Sequence, residues 1–134
     1  IGTSHGAYKF KGEARLRFDI LEKVKEKLPD TPIVLHGASS VIPRLVEMCN
    51  ENGGNIPGAK GCPNEMLKQA GENGVSKINV DTDLRLAMTA QVRRVFNEDP
   101  SIFDPRKYLG AARTEIKETV SDKINNVFCS ANKA

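Results

Sequence analysis

Apolar residues recur along this chain in two spacings, and the alternation between them predicts its elements. Leu21, Val24 and Leu28 stand at helical spacing among Glu and Lys, which predicts an amphipathic helix over about 14–28, ended by Pro29 and Pro32. Ile33-Val34-Leu35 is a short apolar run of the kind buried on both faces of a parallel sheet. A helix should start near Val41, with Ser40 as its N-cap, Pro43 in its first turn and an inner stripe of Ile42, Leu45, Val46 and Cys49. Gly53, Gly54, Pro57, Gly58, Gly61 and Pro63 make the following stretch a loop, and a short helix is expected over 64–71. Val75 to Val80 reads as a second buried strand. Asp81-Thr82-Asp83 then caps a long helix to about 98, with Leu84, Met88, Val92, Val95 and Phe96 facing inward. After a break at Pro100 and Pro105, helix runs to about 128 with Leu109, Ile116, Val120, Ile124 and Val127 inward. Residues 1–12 read as the end of another strand entering a glycine-rich loop.

Strands that alternate with helices imply α/β architecture, parallel pairing and right-handed crossovers. In such a sheet the chemistry gathers in loops at the C-terminal strand ends. Three parallel strands make a poor complete sheet, so a truncated barrel suits the order of elements better than a small finished fold. There is no internal repeat, low-complexity segment or interdomain linker.

Composition changes this picture little. The 134 residues are 39% hydrophobic and 28% charged with a net charge of +3, which suits one globular domain and does not call for nucleic acid. No run of about 18 apolar residues is present, so no membrane span is expected. The chain opens on Ile1-Gly2-Thr3 without a charged-then-apolar leader, and the expectation is a cytoplasmic piece of something longer. Cys49, Cys62 and Cys129 are odd in number and lack C-x-x-C spacing, so they are read as free thiols of a reducing compartment.

Three strand ends carry unusual polar clusters: His5-Gly6 with Lys9, His36-Gly37-Ala38-Ser39, and Asn79 through Arg85. Strand ends of a parallel sheet lie on one face, so the two imidazoles could converge on one zinc ion. Two ligands are too few for a tight site, and a third must come from Cys, Asp, Glu or sequence outside this chain. The alternative is two histidines hydrogen-bonded in loops. The segments 37–40 and 81–82 each lead into a helix N-terminus, which suits a phosphate, although Ser40 and Asp81 could simply cap those helices. Asn79 closes an apolar strand and must be paired, to a substrate hydroxyl or to neighbouring backbone. Lys9 and Arg85 could neutralise phosphates or be solvated surface charges.

Gly2-Thr3-Ser4-His5-Gly6-Ala7-Tyr8-Lys9, Leu35-His36-Gly37-Ala38-Ser39-Ser40 and Lys77-Ile78-Asn79-Val80-Asp81-Thr82-Asp83 together resemble the class II, zinc-dependent fructose-1,6-bisphosphate aldolases. The likeness runs through the tail Cys129-Ser130-Ala131-Asn132-Lys133 and covers essentially the whole chain. It implies the C-terminal portion of a (β/α)8 TIM barrel, from the end of the sixth strand through the eighth and the terminal helices. By resemblance, His5 and His36 are two of three zinc histidines. Gly6, Lys9, Gly37 and Ser39 cradle the phosphate of the dihydroxyacetone half, Asp81 and Thr82 complete that cradle, and Asn79 contacts the hydroxyl end. Arg85 resembles the arginine that meets the far phosphate, and Asp104 and Arg106 the pair that reaches a neighbouring subunit's substrate in dimers. Backbone carbonyls near these loops would hold a monovalent cation, Na+ or K+. Ala38 departs from relatives that carry Gly there.

The family's third histidine, its catalytic aspartate in an Asp-His-Gly motif and the acid that assists enolate formation all lie upstream. No catalytic acid or base is therefore expected in this chain, which should be inactive by itself. Its expected partners are the missing N-terminal half of the barrel, a sugar bisphosphate and a second copy in a homodimer. The Gly-rich loop from Gly6 to Gly12 could close over substrate. Two rival readings remain at this point: a tagatose-1,6-bisphosphate aldolase of the same family, and a non-catalytic half-barrel that binds phosphate or metal.

Overall fold

A computed structural model describes residues 1–5 and 14–133. The order of elements is α1 (Phe18–Lys27), β1 (Ile33–Leu35), α2 (Pro43–Glu51), α3 (Asn64–Glu72), β2 (Val75–Ile78), α4 (Thr82–Glu98), α5 (Pro105–Asp122) and a terminal π-helical turn (Lys123–Val127). This is mixed α/β. β1 and β2 pair in parallel, with Ile33 opposite Val75, Val34 opposite Lys77 and Leu35 opposite Ile78, and an irregularity between Ile33 and Val34. The Asn79 N–H donates to the Leu35 carbonyl at 3.0 Å and carries the pairing one residue further.

Two hydrophobic clusters hold the chain together. Leu21, Leu35, Leu67, Val75 and Val127 tie α1, both strands, α3 and the terminal turn. Val41, Leu45 and Cys49 meet Leu86, Ala87 and Ala90 where α2 crosses α4. Each fully buried Leu contributes about 1.5–3 kcal/mol of transfer free energy. Cys49 and Cys62 are buried and Cys129 is partly exposed; Cys62, in the glycine-rich loop, is completely enclosed.

Several expectations are corrected. Among the described residues there are two strands, not three. The segment 1–5 runs past the end of β1, but the Ile1 carbonyl accepts from the Arg17 N–H at 2.9 Å, a bond into the segment ahead of α1 and not into a ladder. β1 is not covered on both faces: Val34 is 42% exposed. The inner faces of the last two helices are rotated by about one position from the apolar stripes. On α4 the buried residues are Asp83, Leu86, Ala87, Ala90 and Gln91, while Met88 and Phe96 are exposed. On α5 they are Ala112, Glu115 and Thr119, while Leu109, Val120 and Ile124 are exposed. Small alanines let the helices approach closely; Asp83, Gln91 and Glu115 find partners inside, while the Thr119 hydroxyl has none among the described residues. Neither α4 nor α5, nor any other helix among the described residues, is long and apolar enough to cross a membrane.

Candidate functional site

The loops after β1 and β2 lie side by side because their strands are neighbours. Both histidines come to this end: the His5 and His36 ring centroids are 6.0 Å apart and tilted by 49°, and both residues are exposed. Asn79, at the end of β2, places its side-chain amide 3.1 Å from His36 Nδ1. If the amide presents its NH2, Nδ1 accepts and the neutral ring carries its proton on Nε2. If it presents its oxygen, Nδ1 donates and Nε2 is left with a lone pair for a metal. Asn79 is therefore paired to an imidazole, a partner other than the substrate hydroxyl or local backbone expected for it.

Gly37 shows why this end of β1 needs glycine. Its φ is +62°, and a Cβ there would stand 2.6 Å from the Ser4 carbonyl oxygen. The absence of a side chain lets the segment bearing His5 run against the loop bearing His36.

The two helix N-termini are capped differently from the expectation. α2 begins at Pro43 with Ile42 at its cap position and no side-chain cap, so Ser40 does not cap it. Asp81 holds the cap position of α4 without capping it; its carboxylate accepts from Arg85 Nε at 2.9 Å. The cap comes from across the sheet: buried Ser39 Oγ accepts the N–H groups of Asp81 and Thr82, each at 3.1 Å. The Ser39 hydroxyl thus joins the two loops. In return, Asp83 from α4 accepts the N–H groups of Ser40 at 2.9 Å and Val41 at 2.6 Å.

Arg85 is 77% exposed and pairs with Asp81 one turn away, a solvated contact of little stabilising value. Asp104 caps α5, accepting from the Arg106 N–H at 2.9 Å, and the Arg106 guanidinium folds back on the same carboxylate at 2.6 Å. The guanidinium holds the Asp104 carboxyl below its ordinary range. These two residues are paired with each other in the single chain. Gly6 and Lys9, and the glycine-rich loop to Gly12, lie outside the described residues.

Two exposed imidazoles at one end of the sheet are donors of the type that zinc takes. Among the described residues no third His, Cys, Asp or Glu joins them. Sequence reasoning missed Lys123, which reaches Asp83, Ser40 and Asn64 from the terminal turn. Its signal was positional: Lys123 continues the row Ala112, Glu115, Thr119 and precedes Val127 on one helical face.

The chain is thus an α/β protein whose parallel strand ends gather imidazoles, an amide and two helix-leading loops. The family described as Fructose-bisphosphate aldolase class-II matches residues 1–133, and the chain belongs to it. Curated relatives named fructose-bisphosphate aldolase include one from Giardia intestinalis, 49% identical over all of this chain and 42% of its own length. One from Thermus caldophilus is 48% identical over all of this chain and 43% of its own length. One from Treponema pallidum is 46% identical, again over the whole chain, and 44% of that protein is covered. The chain therefore spans less than half the length of these relatives.

Proposed function

We propose that this chain, joined to the segment its relatives carry ahead of it, completes a (β/α)8 barrel that reversibly cleaves fructose 1,6-bisphosphate to dihydroxyacetone phosphate and glyceraldehyde 3-phosphate. The family match across residues 1–133 carries this reading. The pairing of His5 with His36, with Asn79 against the latter's ring, supports it.

His5 and His36 would hold the divalent ion, zinc in this reading, with a third histidine from outside the chain. The ion would supply Lewis acidity at the ketose carbonyl and offset the negative charge that develops on cleavage. Asn79 would keep the His36 ring in its working orientation through Nδ1 and, by the resemblance, meet the hydroxyl end of the substrate. By the resemblance, Gly37, Ser39, Asp81 and Thr82, with Gly6 and Lys9, would form the grip on the near phosphate; the Asp81 and Thr82 amides are held by Ser39 Oγ, so the anion would meet the loop amides ahead of α2. Arg85 turns from Asp81 to the far phosphate. Gripping both ends holds the reacting bond in register and reduces the entropy cost of reaching the transition state. Removal of the proton from the C4 hydroxyl falls to an aspartate outside this chain. In a homodimer, Asp104 and Arg106 would part from each other to reach the neighbour's substrate.

The test is cleavage by the full-length protein of fructose and tagatose 1,6-bisphosphates, which differ at one carbon. The expected result is faster cleavage of the fructose compound, lost on chelation, restored by zinc and absent in His36→Ala. Chelator-resistant cleavage, or activity retained in His36→Ala, would sink the metal assignment; preference for the tagatose compound would change the substrate.

A further inference from the structure

Behind the strand-end loops lies a pair of opposite charges that touches no candidate ligand position. Asp83 has no exposed surface and Lys123 is 2% exposed, and their charged groups stand 3.1 Å apart. A buried ion pair is a poor source of stability compared with apolar side chains of the same volume. Its partners show what else it does. One carboxylate oxygen of Asp83 accepts from the Ser40 N–H and the other from the Val41 N–H. Val41 sits at φ +51°, a conformation that a β-branched side chain rarely adopts and that persists only where its surroundings impose it.

Lys123 supplies the rest of the restraint. Its ammonium donates to the Ser40 hydroxyl, to Asn64 Oδ1 at 2.7 Å and to the Asp83 carboxylate, which uses all three of its protons. It opens the π-helical turn, whose wider ring closes with the Phe128 N–H on the Lys123 carbonyl at 2.8 Å. The Cys62 N–H holds the Ser39 carbonyl from below at 3.1 Å. Residues 39–41 are thus held by Asp83, by Lys123 and by the Cys62 amide. The same loop, through Ser39 Oγ, sets the start of α4.

We infer that Asp83 and Lys123 are positioning residues: a buried clasp that fixes the loop 37–41 against the N-terminus of α4 at the spacing needed to grip one phosphate. The inference rests on the proposed function for the identity of that phosphate, but not for the clasp itself. Asp83 takes up the Ser40 and Val41 amides and Ser39 Oγ those of Asp81 and Thr82, so among the described residues the amides of Gly37, Ala38 and Ser39 are those of the loop left to an anion.

The experiment uses the full-length protein. Amide hydrogen exchange on the unaltered protein should show Ser40 and Val41 protected to the same degree as the first turn of α4; exchange at open-loop rates would overturn the clasp outright. Kinetics then compare Asp83→Asn, Lys123→Met and the double variant, which removes both charges together and so leaves no unpaired charge buried. The folded double variant should keep the metal content and a kcat within about threefold, while KM for fructose 1,6-bisphosphate and the inhibition constant of inorganic phosphate rise about tenfold, equivalent to ~1.4 kcal/mol. Lys123→Arg, which keeps the charge, should recover part of that loss. Wild-type KM and phosphate inhibition in a folded variant would overturn the positioning role. An unaltered protein that binds phosphate and protects these amides but cleaves no ketose bisphosphate would instead overturn the functional reading.

Discussion

Two buried carboxylates sit on adjacent helices, and their surroundings differ. Asp83 on α4 faces Lys123, itself sealed from water, and every atom of that contact has a hydrogen-bonded role. Glu115 on α5 is as well buried, but its partner Arg44, at 2.6 Å, keeps a side chain 55% exposed. Glu115 also accepts from Gln91 at 2.8 Å, whose own amide oxygen is buried without a partner among the described residues. The first pair lies under the loops at the strand ends, and the second faces the outer side between α2, α4 and α5. A fully satisfied, desolvated pair fixes geometry; a pair open on one side is a link whose charged half can return to water.

This contrast is easiest to break by removing one partner from each. Lys123→Met strands the Asp83 carboxylate in the interior and should cost about 3–5 kcal/mol in urea denaturation, most of it recovered when Asp83→Asn is added. Failure of the second change to recover stability would mean that the buried charge is not the source of the loss. Glu115→Ala should cost less, about 1–3 kcal/mol, because Arg44 regains water and only the Gln91 amide is left without its acceptor. The Arg44 guanidinium holds the Glu115 carboxyl below its ordinary range, against the opposing effect of burial. A carboxyl lowered in the folded state contributes its full stability above the unfolded value of about 4.3, and loses it as pH falls through the lowered one. Glu115→Gln should therefore flatten the acid limb of the stability profile, and an unchanged limb would contradict the pairing. Asp104→Ala, at the exposed start of α5, should lower Tm only slightly through loss of the helix cap.

The sequence displayed some of this directly. The apolar run Ile33-Val34-Leu35 became β1 as expected, and α4 ends at Glu98 where its pattern stops. The approach of His5 to His36 was expected from parallel strand ends, but it comes from the segment 1–5 lying against Gly37 beyond β1. The rotation of α4 and α5 was hidden because Met88, Phe96, Leu109 and Val120 form stripes more apolar than the faces that are buried. Ala87, Ala90 and Ala112 win the interior by size, and Asp83, Glu115 and Lys123 enter it only because each finds a partner far along the chain. The capping role of Ser40 was misassigned for a related reason. A serine beside a helix start suggests a local cap, whereas Ser39 caps a helix that begins 43 residues later.

The proposed site has His5 and His36, brought together beyond the end of β1, holding one metal ion beside a phosphate grip. The most direct measurement is the zinc bound per chain by the full-length protein and by its His36→Ala variant, both shown to be folded. About one ion in the former and almost none in the latter is predicted. Equal zinc in both would contradict the assignment, and with it the aldol chemistry built on that pair of imidazoles.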